Sequence, residues 1–188
     1  MFSQKRNKRG VPKSASLIIT SSLLAAAAAQ AAETTHTPLV LTAYYNGVGG
    51  NELISGKYDL ALTEIQTYKP QMALAASAKA TNLCVAYAAT RQLPAAMTAC
   101  DAALKSAKED RLSASRLTPG SSHENAYVAI AYANRAVVHM LSRDAASAKA
   151  DLAKAQSLAP KADFVARNVA AVDNSRSTIA QLQVTPSS

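Results

Sequence analysis

Apolar and small residues recur at the spacing of α-helices over most of the chain from residue 51 onward. Two stretches repeat the same order of residues at an offset of 52 positions, from 82 to 134. Small side chains at matched positions let two antiparallel helices approach closely, so each stretch predicts a helical hairpin. The offset corresponds to one unit of about 34 residues plus an insertion of about 18. The repeated positions are Asn82, Tyr87, Ala96, Cys100 and Ala103 in the first stretch and Asn134, His139, Ala148, Leu152 and Ala155 in the second.

The segments around these two stretches complete a predicted all-α domain over residues 51–174. Prolines and glycines mark its internal boundaries, as at Pro70, Pro119-Gly120 and Pro160. The residues beyond it predict a flexible tail over 175–188. Within the domain we predict repeats at about 51–70, 75–108 and 122–160, an inserted loop at 109–121 and a capping helix at 162–173.

Residues 32–50, which precede the helical pattern, predict an extended lead-in. This segment has no helical period, and Pro38 to Tyr45 is rich in residues typical of extended structure. Asn46 to Gly50 favours a turn, because asparagine and glycine readily adopt the required backbone angles.

Residues 1–31 are typical of a secretory signal peptide. A basic leader from Lys5 to Lys13 precedes the apolar stretch Leu17 to Ala29, and Ala29-Gln30-Ala31 fits a small-residue cleavage site. The apolar stretch is shorter than the roughly 20 residues that a transmembrane helix needs. An uncleaved membrane anchor is the alternative interpretation. We expect a periplasmic or secreted protein with no membrane association after cleavage.

Removal of this leader changes the interpretation of the net charge. The whole chain carries 20 basic and 12 acidic residues, with a net charge of +8. Five of the basic residues and none of the acidic ones lie in the leader, so 15 basic and 12 acidic residues remain, a net charge of +3. A basic chain can bind nucleic acid, but the remaining charges of both signs alternate along helices. We therefore expect no nucleic-acid partner.

The repeated positions resemble the tetratricopeptide repeat family. Gly56, Tyr58, Ala61 and Ile65 fit the second helix of a first, abbreviated repeat, and Pro160 fits the proline that ends a repeat. The resemblance implies an α-solenoid of about three helical hairpins with a C-terminal capping helix, in which the concave face binds peptides. The other matching positions are Leu83, Tyr87, Ala96 and Ala103 in the second repeat and Ala148 and Ala155 in the third.

The resemblance also predicts which residues line the concave face. This face is almost wholly apolar, and Asn82 and Asn134 are its main polar residues. Soluble monomers rarely expose an apolar patch of several hundred Å², so we expect the lead-in Pro38 to Tyr45, a partner segment or a second copy to cover it. The predicted partner-binding residues are Thr81, Val85, Ala88, Ala89, Ile130, Ala133, Val137, Met140 and Leu141.

Two pairs of residues are predicted to face each other across hairpins. Cys84 and Cys100 are symmetric about the turn near residue 92, which leaves roughly 3.4 to 5.4 Å between their Cα atoms if helix axes are about 8 to 10 Å apart. A disulfide, which usually needs about 4.4 to 6.8 Å, is favoured; two small apolar core residues are the alternative. Arg135 and Asp151 are symmetric about the turn near residue 143 and predict a structural ion pair.

Candidate catalytic and metal-binding groups do not converge in the sequence. The histidines are scattered at His36, His123 and His139, whereas a metal site needs three or four convergent donors. Ser121 to Glu124 fits a capping box at a helix start better than a catalytic site. We therefore expect no enzymatic activity, no metal and no cofactor.

The sequence thus predicts a non-catalytic protein interaction scaffold of the bacterial cell envelope that binds a peptide or protein segment on an apolar helical face. The alternative is a protein that binds a small ligand or an envelope polymer in the same groove, closed by the inserted loop. The partner is an unknown protein or peptide, and a homo-oligomer is also compatible with the apolar face.

Overall fold

A computed structural model describes residues 37–117, 122–174 and 182–187. The described residues are mostly helical, as the all-α prediction requires, with one short pair of strands in addition. The predicted signal peptide lies outside the described residues. The elements are β1 (Leu39–Ala43), α1 (Gly50–Ile54), α2 (Tyr58–Thr67), α3 (Ala73–Ala89), α4 (Leu93–Leu117), α5 (Ser122–Leu141), α6 (Ala145–Leu158), α7 (Asp163–Asn174) and β2 (Leu182–Pro186).

The same turn joins the two helices of three successive hairpins, α1–α2, α3–α4 and α5–α6. Gly56, Arg91 and Arg143 occupy equivalent positions with left-handed φ angles of 74°, 61° and 64°. In each turn the next residue donates its backbone N–H to a carbonyl five positions earlier. These bonds satisfy carbonyl groups that a helix end otherwise leaves unpaired. The three hairpins therefore share one turn geometry.

Small residues let the helices of each hairpin approach closely. Ala96, Cys100 and Ala148, three of the positions repeated in the sequence, are fully buried. Cys84 on α3 and Cys100 on α4 form a disulfide across the second hairpin, with 4.8 Å between their Cα atoms. The cross-link closes a short loop and contributes up to about 3 kcal/mol.

The long stretch between the second and third repeats differs from its prediction. α4 continues without interruption to Leu117, so residues 109–117 are helical and not part of a loop. This stretch carries Glu109, Arg111 and Leu112, all of which have high helix propensity. Residues 109–117 of the predicted insertion therefore lengthen α4.

The C-terminal tail also differs from its prediction. Residues 182–186 form β2, which pairs in parallel with β1 and aligns Leu39 with Leu182 and Ala43 with Pro186. The extended structure predicted for Pro38 to Tyr45 is confirmed, because β1 lies within it. The two strands are far apart in the sequence, so their pairing joins the two ends of the described chain.

Strand β1 lies against the helices. All five of its residues are fully buried, and Leu39, Leu41 and Ala43 belong to the largest hydrophobic cluster of the core. Within the described residues, β1 contacts α3, α5 and α7 but neither α4 nor α6. We call the surface that α3, α5 and α7 present to β1 the groove. No helix in the described part of the chain has both the length and the apolar character needed to cross a bilayer.

Candidate functional site

Three buried asparagines project from three helices toward the same strand. Asn82 lies on α3, Asn134 on α5 and Asn168 on α7, and each is completely inaccessible to solvent. A buried primary amide must find partners for both its acceptor oxygen and its donor nitrogen. In this protein the backbone of β1 and of the residues directly after it supplies those partners.

The asparagines bind alternate residues of the extended chain. Asn134 accepts the backbone N–H of Thr42 at 2.8 Å through its Oδ1, and its Nδ2 donates to the Thr42 carbonyl at 2.8 Å. Asn168 holds Val40 in the same way, at 2.6 and 2.8 Å. Each side chain thus pairs with both the donor and the acceptor of one residue, as a neighbouring β-strand would.

Asn82 makes a third pair of bonds, to Tyr44, at 2.7 Å from its N–H and 3.0 Å to its carbonyl. Its Nδ2 also donates to the Val48 carbonyl at 2.9 Å, which fixes the turn that follows the strand. That turn leaves no space for a side chain at Gly50, where a Cβ atom would lie 2.2 Å from the Tyr44 carbonyl oxygen. The asparagines therefore position both the strand and its exit toward α1.

These bonds depend on the backbone of the bound segment and not on its side chains. Every acceptor and donor that the asparagines contact in β1 and the turn is a main-chain group. The strand runs against the order of the helices, because its earliest residue meets the last helix, α7. The groove is therefore constructed to hold an extended polypeptide in a fixed register and direction.

The opposite edge of β1 pairs with β2. In a parallel ladder the odd-numbered residues of β1 present their N–H and C=O groups to β2, and the Ser187 N–H donates to the Ala43 carbonyl at 2.7 Å. Pro186 precedes Ser187, so its missing N–H falls on the outer edge of β2, where proline is tolerated. Leu182 and Val184 pack against the core and remain partly buried, whereas Gln183 and Pro186 are exposed.

The structure places the nine predicted partner-binding residues in or beside the core. Val85, Ala88 and Val137 belong to the same hydrophobic cluster as β1, and Met140 and Leu141 pack against that cluster. While β1 is in place, the fully buried ones offer no surface to a partner. Six are fully buried, namely Thr81, Val85, Ala88, Ile130, Ala133 and Val137, and three are partly buried, namely Ala89, Met140 and Leu141.

The sequence alone does not predict that the three asparagines bind β1. Asn82 and Asn134 were noted as polar residues of the predicted concave face, but no role was assigned to them. Asn168 was treated as part of a capping helix. Its position is 34 residues after Asn134, the length of one repeat. That spacing is the sequence pattern from which the third asparagine, Asn168, could have been predicted.

An aromatic cleft of about 510 Å³ opens where β1, β2 and the helices meet. No charged side chain of the described residues lines it. Tyr45, Tyr68 and Met72 are three of the five large apolar side chains exposed on the described surface, and all three lie here. The residues that line it include Tyr44, Tyr45, Tyr68, Met72, Tyr127 and Ser187.

Two tyrosines, Tyr44 and Tyr127, form part of the wall of this cleft. The rings of Tyr44 and Tyr127 lie 5.3 Å apart between centroids, a distance at which aromatic rings attract each other. Burial raises the pKa of the Tyr44 phenol above its usual value, and the neighbouring Tyr127 and Asp110 raise it further. Tyr44 therefore stays protonated at physiological pH.

An ion-pair cluster supports α5 behind the groove. Arg135 donates from Nε and Nη2 to the two carboxylate oxygens of Asp151 at 2.7 and 2.8 Å, which confirms the predicted pair. It also donates from Nη1 to Asp101 on α4 at 2.8 Å. These bonds raise the pKa of Arg135. The cluster ties α5 to both flanking helices and so fixes the helix that carries Asn134.

The described residues contain no group of three or more histidine, cysteine, aspartate or glutamate side chains able to hold a metal ion. His139 lies beside two carboxylates, with its Nδ1 at 3.5 Å from Asp144 and its Nε2 at 3.7 Å from Asp151. His36 and Ser121 lie outside the described residues. The rest of the predicted capping box, up to Glu124, lies outside the described side chains.

Comparison with known proteins finds no family model, no curated protein and no solved structure that matches this chain. Arguments about its function therefore rest on the groove and its geometry.

Proposed function

We propose that this chain is a non-catalytic interaction scaffold, exported to the periplasm or secreted, that holds an extended segment of a partner protein beside the strand β1 that its groove positions. One observation carries the proposal. Three asparagines from three repeated helices each bind both backbone groups of alternate residues in an extended strand. The asparagines fix β1 in place, and β1 in turn presents its other edge as a template on which an extended segment can pair.

The resemblance to tetratricopeptide repeats implies a partner bound directly on a concave helical face, and the proposal differs from it in one respect. β1 covers the helical face directly, so a partner would meet β1 and the residues around it rather than bare helices. Strand addition to an exposed edge is a common mode of peptide recognition. The disulfide between Cys84 and Cys100 supports the export part of the proposal, because such bonds persist in oxidising compartments.

Photo-crosslinking tests this proposal in cells that make the protein. A photoreactive phenylalanine replaces Tyr45, which is half exposed at the end of the groove. The matched control replaces Ala150, which is exposed on α6 and away from β1. We expect a discrete protein adduct from position 45 and none from position 150. Identical adduct patterns from both positions would contradict an interaction role for the groove.

The alternative function, binding of a small ligand or envelope polymer, no longer has its proposed closing loop, because residues 109–117 are helical. The aromatic cleft is the feature that favours it, since binding pockets are commonly apolar and of this volume. In the crosslinking experiment, this alternative predicts that the molecule attached at position 45 survives protease digestion and contains no peptide from a second protein.

A further inference from the structure

The two edges of β1 are held in very different ways, and this difference identifies where a partner binds. One edge is bound by asparagines that belong to the helices. The other edge is bound by β2, which packs against α1 and α3 and is joined to α7 by one side-chain hydrogen bond, from Arg167 to Gln183. The sheet is thus completed by a short segment that is only partly buried, whereas β1 is fully buried.

We propose that the position of β2 is a binding site for a partner strand, and that β2 is an internal ligand that occupies it. The partner segment is extended, runs parallel to β1 and places two aliphatic side chains where Leu182 and Val184 now pack. This inference rests on the proposed function, because it names the site at which the scaffold takes its partner.

The structure defines the register of this partner strand. β2 shows that two side chains, two residues apart, enter the core cluster that contains Leu41 and Ala43. The intervening side chain, at Gln183, is exposed and accepts a hydrogen bond from Arg167. A partner therefore needs apolar residues at alternate positions and tolerates polar residues between them.

The aromatic cleft extends the site beyond the strand. Pro186 ends β2, and the next residue, Ser187, lines the cleft beside the tyrosines. Any strand in this position directs its following residue into the same cleft. Because no charged side chain of the described residues lines the cleft, an apolar or aromatic partner residue fits it best. The cleft is thus a specificity pocket for the residue after the strand.

Competition in the intact chain should reveal the site. An internal ligand on a short tether is present at an effective concentration near the millimolar range, so it weakens the binding of a free peptide. Val184→Glu places a charge in the core cluster and should release β2. The control, Gln183→Glu, adds the same charge at the neighbouring exposed position and keeps Arg167 as its partner.

The probe is a fluorescent peptide with the sequence of residues 182–188, and binding is measured by anisotropy. We expect the Val184→Glu chain to bind it at least tenfold more tightly than either the wild type or Gln183→Glu. Circular dichroism confirms that the helices are retained. A folded Val184→Glu chain that binds the peptide no better than the wild type would overturn the proposal.

Two methylated peptides provide a second test that needs no substitution in the protein. Methylation of the Ser187 nitrogen removes the N–H that donates to the Ala43 carbonyl, whereas methylation of the Val184 nitrogen affects the outer edge. At high peptide concentration the wild-type chain should bind the second peptide and not the first. Equal binding of both peptides would also overturn the proposal.

The cleft is tested with a peptide that carries Ser187→Phe. We expect it to bind the Val184→Glu chain about tenfold more tightly than the unmodified peptide does, and equal affinity would exclude the cleft as a specificity pocket. If the peptides do not bind as expected but position 45 still gives discrete crosslinks, this site is excluded and the scaffold role is retained. Peptide binding without any crosslinked protein would instead remove the scaffold role.

Discussion

The two strands of this protein form one ladder but depend on different parts of the chain. β1 is fully buried and has three helical side chains bound to its backbone. β2 is partly exposed, and the bonds between strands are its main attachment. The comparison teaches that the helical repeats specify the position of only one strand. The second strand is specified by the first, and it is therefore the one that can be exchanged.

The largest effect should come from removal of a central asparagine. Asn134→Leu leaves the buried N–H and C=O of Thr42 without partners, at a cost of roughly 1 to 3 kcal/mol for each group. We expect a loss of about 4 kcal/mol in the free energy of unfolding, measured by urea denaturation. Asn51→Leu, at an exposed position on α1, is the control and should change stability by less than about 0.5 kcal/mol. Similar effects at both positions would contradict the role of Asn134.

A change of one atom at the same position should make the hold on β1 depend on pH. In Asn134→Asp the ionised carboxylate cannot donate to the Thr42 carbonyl, but the protonated acid can. Burial raises the pKa of this aspartate above its unfolded value near 3.9. The stabilisation is then complete below the unfolded pKa and is lost as pH rises through the folded pKa.

For this variant we expect the deficit in melting temperature relative to the wild type to grow between about pH 4 and pH 7. Thermal unfolding of both chains across this range checks it. A deficit that does not change with pH would show that position 134 does not donate a hydrogen bond to β1.

Amide exchange should separate the two strands directly. The N–H groups of Thr42 and Ser187 are both hydrogen-bonded, to Asn134 and to Ala43 respectively. Their exchange rates therefore report how often each strand opens. We expect the Ser187 amide to exchange at least about 100-fold faster than that of Thr42, as measured by NMR. Equal protection would mean that the strands open as one unit and would argue against exchange of β2 alone.

The smallest effect compares two threonines, one in each strand. The Thr42 hydroxyl is buried and has no hydrogen-bond partner among the described residues, whereas Thr185 is partly exposed. Replacement of an unpaired buried hydroxyl by a methyl group removes a desolvation cost. We expect Thr42→Val to raise the free energy of unfolding by about 1 kcal/mol and Thr185→Val to change it by less than about 0.5 kcal/mol. If only Thr185→Val stabilised the protein, the conclusion that the Thr42 hydroxyl is buried without a partner would be contradicted.

The part of the fold that depends on local patterns could be predicted from the sequence. Matched small residues indicated the hairpins, and symmetry about a turn placed Arg135 opposite Asp151. The lead-in was predicted to be extended, and coverage of the groove by it was one of three alternatives. Residues 109–117 were misassigned because their polarity was given more weight than their helix propensity.

The strand interactions could not be predicted, because they depend on partners that are distant in the chain. Nothing local distinguishes an asparagine that binds a backbone from one that caps a turn, and only the tertiary position of Asn168 reveals its partner. β2 is five residues long and pairs across most of the sequence. Polar and apolar residues alternate only weakly along β2, so the sequence does not distinguish a short strand from an unstructured tail.

The link between Val40 and Asn168 has a consequence for the order of folding. These residues are separated by 128 positions, so the first described strand binds the last described helix. β1 therefore lacks one of its three asparagine anchors until α7 has formed and packed. Contacts of such long range slow folding, and closure of the groove around β1 should be a late step in the maturation of this protein.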